Sequence, residues 1–200
     1  MGRTLAEKVL SSYVRTPAAT LLARLGLSPN AVTVLGLVGA GAGAYLLSTE
    51  RLWAGGVVVL ASGLFDLFDG ALARATGRTS RFGALLDSVV DRVSEAVILL
   101  GLLIFYYQRS SPEGTVLVYL AFVGSVMVSY LRARAEGLGI DCEVGVMTRP
   151  PRVVALGTGL IVGHWWLTAV TIVLAVIAGL SFLTSLQRLL YSRDMLKSEE

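Results

Sequence analysis

The sequence is poor in the side chains that most soluble enzymes use for chemistry. Cys142 is its only cysteine, so an internal disulfide framework is excluded, and nothing beside it forms a thiolate metal site. His164 is the only histidine and stands next to Trp165 and Trp166 between two apolar stretches, a pattern of interfacial anchoring more than of catalysis. Sulfur and imidazole this scarce argue against zinc and copper sites. Charged residues make up only 16% of the 200 positions. There is no low-complexity segment, no internal repeat and no composition break that would mark a second domain.

What is abundant is apolar. Hydrophobic residues account for 54% of the chain and the mean hydropathy is +0.71, far above that of a soluble domain, which points to a polytopic membrane protein. Runs of about 20 apolar residues predict helices near 30–48, 52–74, 83–107, 114–135, 151–168 and 169–191. The second and third qualify only if their aspartates are accepted as part of the span. The expected fold is an all-α integral membrane protein with six transmembrane helices in one domain over residues 28–200. Residues 1–27 mix Arg3, Lys8, Arg15 and Arg24 with Leu5, Val9 and Leu10 and lack the continuous apolar core of a cleavable signal. They predict an N-terminal amphipathic juxtamembrane helix lying in the interface. Ala6 stands where a myristoylation pattern needs Ser or Thr. Gly39 and Gly43 form a GxxxG step in the first span, open to a helix of the same chain or of a second copy.

The net charge of +3 is small, but the 17 basic residues are unevenly distributed. Four precede the first span. Arg74, Arg78 and Arg81 follow the second, Arg132, Arg134, Arg149 and Arg152 lie between the fourth and fifth, and Arg188, Arg193 and Lys197 end the sixth. Only Arg51 and Arg109 fall on the other side, and Arg92 lies within the third span. The positive-inside rule then puts both termini and the second interhelical loop on the cytoplasmic face of the cell membrane.

That loop joins two acidic pairs. Asp66 and Asp69 are three residues apart near the end of the second span, and Asp87 and Asp91 are four apart near the start of the third, so each pair shares one helix face. A charged Asp in a membrane helix costs roughly 2.5–3.5 kcal/mol, and repulsion within a cluster adds to this. Arg74 and Arg92 offset part of the charge. Hard carboxylate oxygens in this number suit Mg²⁺ or Mn²⁺, with two ions about 3.5–4 Å apart matching four carboxylates. Gly70 and Gly83 remove side chains beside the carboxylates, which allows a bulky ligand near the backbone or close helix packing. Glu95 extends the stripe by one turn and reads as support for the cluster or as a partner for an arginine.

The run Asp66-Leu67-Phe68-Asp69-Gly70-Ala71-Leu72-Ala73-Arg74, followed by Gly83, Asp87 and Asp91, resembles the complete signature of the CDP-alcohol phosphotransferase family. The resemblance implies a metal-dependent enzyme of phospholipid biosynthesis, in which a phosphatidyl group moves from a CDP-linked lipid such as CDP-diacylglycerol to an alcohol and CMP is released, and it implies a homodimer. By the same resemblance Asp66, Asp69, Asp87 and Asp91 ligate the metals, and Asp91 is the general base. Pro29, Asn30, Ala31 and Val32 of the Ser28–Thr33 corner, with Gly70, Ala73, Arg74, Ser80 and Gly83, would meet the CDP-lipid. Taken alone, that corner is a helix start with a capping Ser or Asn and an early Pro.

A second cluster holds Ser129, Arg132, Arg134, Arg149, Arg152 and Arg188. Snorkelling and topology account for single arginines in such places. Five guanidiniums exceed that need and suit a phosphate, which makes a phosphorylated acceptor the expected partner. The segments Ser129–Glu136, Thr148–Arg152 and Gln187-Arg188 are similar to the phosphatidylinositol phosphate synthases of actinobacteria and related archaeal enzymes, with Arg132 where Lys is common and Pro151 where Glu often stands. Inositol phosphate is therefore the expected acceptor, with glycerol-3-phosphate the alternative. A cation-coupled transporter is the non-enzymatic alternative, but it calls for acidic residues at mid-membrane depth and two related halves. No nucleic-acid partner is expected.

Overall fold

The computed structural model describes residues 27–76 and 80–197. Among these, six helices follow one another: α1 Pro29–Ser48, α2 Leu52–Thr76, α3 Arg81–Gln108, α4 Pro112–Glu136, α5 Arg149–Gly163 and α6 Thr168–Lys197. The amphipathic helix expected over residues 1–27 lies outside the described residues, apart from Leu27.

Local chemistry sets the helix starts. Ser28 caps α1, its Oγ accepting from the Ala31 N–H at 3.2 Å, and Pro29 occupies a first-turn position where its missing N–H costs nothing. Ser80 caps α3 in the same way through the Gly83 N–H at 2.9 Å, and Ser111 caps α4 through Gly114 at 3.3 Å. Three helices, α1, α4 and α6, are long and apolar enough to cross a membrane, and α2 contributes a shorter apolar stretch over Leu52–Phe65. The fifth helix ends at Gly163, short of the expected 168, because the N–H groups of Trp165 and Trp166 turn back to the Val162 carbonyl. The sixth runs to Lys197, past the expected 191, and Tyr191 packs there against Ile140 and Cys142.

The helices close a ring. α1 packs on both α2 and α3, α3 on α4, α4 on α6, α6 on α5, and α5 on α2. Consecutive α2 and α3 touch each other only sparsely, because both lean on α1. Small residues bring the walls close. A Cβ at Gly101 on α3 would lie 2.5–2.9 Å from the backbone of Ala44 on α1, and one at Gly56 on α2 would lie 2.8 Å from the Gly157 carbonyl oxygen on α5. The Gly39/Gly43 step faces Ser62 and Val59 of α2, so its neighbour is a helix of the same chain. Leu47, Val59, Leu102, Phe105, Leu160 and Leu174 fill the interior. At the end of the ring remote from the aspartates, Arg109 after α3 donates to Glu50 after α1 at 3.0 Å.

Candidate active site

The acidic signature spans the end of α2 and the start of α3. Asp66, Asp69, Gly70, Ala73 and Arg74 lie in the last turns of α2, and only their backbone is described. Asp87 and Asp91 follow one turn apart on α3, both partly buried. The α1 start converges on the same place: a Cβ at Gly83 would lie 3.3 Å from Asn30 Oδ1 and 3.0 Å from Ser80 Oγ. Three expected CDP-lipid contacts, Asn30, Ser80 and Gly83, therefore adjoin one another, with Pro29 at the same helix end. Ala31 is partly buried, while Val32 is fully buried and packs with Leu72 and Phe65 of α2, which makes it a wall of this corner.

Asp91 is held from across the ring. Arg149, the first residue of α5, places Nη1 2.5 Å from Asp91 Oδ1, and the two side chains are 21% and 16% exposed. Arg92 is a weaker neighbour: its Nη1 lies 3.9 Å from Asp91 Oδ2 and donates to the Ser88 carbonyl at 2.5 Å.

One turn deeper, Glu95 binds Arg152 through two contacts, Nε–Oε1 at 2.6 Å and Nη2–Oε2 at 2.8 Å. Arg152 is 2% exposed, and its Nη1 also donates to the Met147 carbonyl at 2.9 Å. A guanidinium that deep is tolerable only when paired and hydrogen-bonded. The arginine-partner reading of Glu95 is the one the structure takes up. Between these groups lies a cavity of about 30 Å³, lined by Glu95, Ser125, Arg149 and Arg152 over an apolar floor. Ser125 Oγ is buried with no hydrogen-bond partner among the described residues.

Arg188 is also 2% exposed and is held entirely by backbone: Nε donates to the Val144 carbonyl at 2.9 Å and Nη1 to the Val128 carbonyl at 2.6 Å. The segment between α4 and α5 thus serves both buried arginines, Val144 holding one and Met147 the other. It is pinned in turn by the Met147 N–H donating to Thr184 Oγ1 at 3.0 Å. Gly145, between the two carbonyl acceptors of this clamp, has φ +114°, and a Cβ there would sit 2.3 Å from Thr184 Cγ2. Val128, Val144, Met147, Gly145 and Thr184 escaped sequence reasoning, because the first three contribute main-chain atoms and carry no side-chain signature.

The expected arginine cluster is therefore not uniform. Arg152 and Arg188 are buried and fixed, and Arg149 faces Asp91. Arg132 is more exposed and pairs with Glu136 at 2.7 Å and, loosely, with Glu143 at 3.9 Å. Arg134 is exposed, and Ser129 is partly buried on α4. The arrangement offers carboxylates at one end of the ring and fixed guanidiniums just inside it, a pairing suited to binding two phosphorylated groups side by side.

Residues 26–183 match the family described as CDP-alcohol phosphatidyltransferase. The chain is 38% identical over 183 residues to a phosphatidylinositol phosphate synthase of Mycobacterium bovis, covering 88% of this chain and 84% of the relative. It is 35% identical to an archaetidylinositol phosphate synthase of Methanothermobacter thermautotrophicus, with 87% of each covered. Its fold is similar to the crystal structure of Mycobacterium tuberculosis phosphatidylinositol phosphate synthase with CDP-DAG bound, with a TM-score of 0.82 at 36% identity over 90% of this chain and 94% of that one. A second structure of that enzyme, in complex with manganese and citrate, gives the same TM-score over 90% of this chain and 88% of its own.

Proposed function

Because the chain belongs to the CDP-alcohol phosphatidyltransferase family, we infer that it transfers a phosphatidyl group from CDP-diacylglycerol to a hydroxyl of inositol phosphate, giving phosphatidylinositol phosphate and CMP. The observation that carries the acceptor half of this reading is the pair of buried guanidiniums, Arg152 and Arg188, both held by the segment between α4 and α5, with Arg152 bound to Glu95 one turn along α3 from Asp91. A guanidinium carries five N–H donors, and among the described residues Arg152 uses three and Arg188 two, so both retain donors suited to a phosphate.

The donor set fits a divalent metal. Asp66, Asp69, Asp87 and Asp91 offer only hard oxygens, they sit on helix ends that share α1 as a support, and a cationic group is already drawn against Asp91. These four would hold Mg²⁺ or Mn²⁺, as two ions. When bound, the metal neutralises the diphosphate and acidifies the incoming hydroxyl. The rest falls to the chain's own side chains. Asp91 takes the proton of the acceptor hydroxyl as its oxygen attacks the phosphorus that carries diacylglycerol. The bond from that phosphorus to the bridging oxygen breaks, and CMP leaves. Arg74 neutralises the diphosphate, while Asn30, Ser80 and Gly83 shape the nucleotide corner, with Pro29, Ala31, Val32, Gly70 and Ala73 around it. Ser129, Arg132, Arg134, Arg149, Arg152 and Arg188 serve the acceptor's phosphate, Arg152 and Arg188 from fixed positions that lower the ordering cost of binding.

The protein works as an integral membrane homodimer. All six helices of the 28–200 domain span or dip into the bilayer behind the amphipathic segment 1–27. Both termini and the site face the cytoplasm, as the basic loops require. Purified protein with CDP-diacylglycerol and Mn²⁺ should release CMP with inositol phosphate and much more slowly with glycerol-3-phosphate. Equal or inverted rates would reassign the acceptor, and no CMP with either would defeat the reading.

A further inference from the structure

We propose that Arg149 is an exchangeable partner of Asp91. It neutralises that carboxylate in the metal-free enzyme, then gives it up to the divalent cation and passes to the acceptor's phosphate, so that metal and phosphorylated acceptor bind cooperatively. This rests on the reading of Asp91 as metal ligand and of Arg149 as an acceptor residue.

The position of Arg149 is not explained by its own helix. It opens α5, where the aligned peptide dipoles disfavour a cation, and Thr148 before it supplies no side-chain cap. It makes a 2.5 Å contact with Asp91, which crosses the ring from α5 to α3. The other two inner arginines differ in one respect. Arg152 is bound by Glu95 and a carbonyl, and Arg188 by two carbonyls, groups that have no further duty in the reaction. Arg149, by contrast, contacts Asp91, a group that the reaction itself requires. Arg149 also lines the cavity that Arg152 and Glu95 line, so it borders the acceptor side and the aspartate side at once.

The energetic consequence has a definite sign. A cation approaching Asp91 competes with Arg149 for the carboxylate and then sits near its charge, so Arg149 weakens metal binding on both counts. An acceptor phosphate that captures Arg149 removes that opposition. By linkage each ligand then strengthens the other by the same factor.

The test is Mn²⁺ binding to the detergent-solubilised full chain, with free Mn²⁺ read by electron paramagnetic resonance, with and without inositol phosphate and corrected for Mn²⁺ held by inositol phosphate alone. In the wild type, saturating inositol phosphate should tighten Mn²⁺ binding about fivefold or more. Arg149→Gln should bind Mn²⁺ tighter than wild type by a similar factor without acceptor, and should lose the acceptor-dependent gain. Arg149→Lys, which keeps the charge, should fall between them. An unchanged or weaker Mn²⁺ affinity in Arg149→Gln, or an undiminished gain, overturns the exchange while leaving the transferase reading intact. A wild type that binds no Mn²⁺ overturns the underlying metal assignment, and the exchange with it.

Discussion

Glu95 on α3 and Arg152 on α5 meet through two parallel contacts of 2.6 and 2.8 Å, although α3 and α5 are not neighbours in the ring. The pair therefore spans the interior, tying opposite walls together one turn below the Asp91–Arg149 contact. Its burial makes it costly to break from one side.

Glu95→Gln should lower the thermal midpoint in detergent, with a loss of about 3–5 kcal/mol as expected when one member of a buried pair is removed. The double change Glu95→Met with Arg152→Met should recover much of that stability and none of the acceptor binding. Thermal melts paired with acceptor KM separate the two effects. A double variant with normal KM would show that the pair is structural only.

Asp91→Asn should abolish turnover and leave CDP-diacylglycerol binding largely intact, since the amide keeps the shape but cannot take the hydroxyl proton. Single-turnover CMP release beside a binding isotherm for the CDP-lipid decides it. Near-normal rates would remove Asp91 from the role of base.

Arg152→Ala and Arg188→Ala should each lower kcat/KM for the acceptor by about 10- to 100-fold, the worth of charge-assisted hydrogen bonds to a phosphate, chiefly through KM. Arg188→Ala also strips the Val128 and Val144 carbonyls of their donor, so it should cost stability as well. If either change acts only on CDP-lipid KM, the acceptor's phosphate lies elsewhere.

Gly145→Ala should destabilise by about 1–3 kcal/mol, because φ +114° and the 2.3 Å approach to Thr184 Cγ2 leave no room for a methyl group. Adding Thr184→Ser removes that Cγ2 and keeps the hydroxyl that Met147 uses, so it should restore part of the loss. Melting temperatures of the two variants suffice.

The helices were legible because each is an apolar run closed by its own chemistry, and Ser28-Pro29 announced the start of α1 from local rules alone. The end of α5 was not, since the apolar run continues through Trp165 and Trp166 and hydropathy cannot see the backbone turn at Val162. At the site, the carboxylate spacing named Asp87 and Asp91, and the same stripe named Glu95. The ring order depends on contacts between distant residues, so nothing local foretold that Asp91 and Glu95 face α5. The pattern of arginines marked a charged end but not its sorting into the fixed Arg152 and Arg188, the Asp91-bound Arg149 and the exposed Arg134. What sorts them is largely main-chain oxygen.

That origin carries an implication for how such a protein drifts in sequence. Holders built from peptide oxygens do not depend on the side chains of the residues that supply them. Asp141, Glu143 and Val146, all exposed beside Val144 and Met147, are free to be replaced without disturbing where the two guanidiniums point. Tolerance in that stretch should stop abruptly at Gly145, the one residue there whose lack of a side chain is itself the requirement.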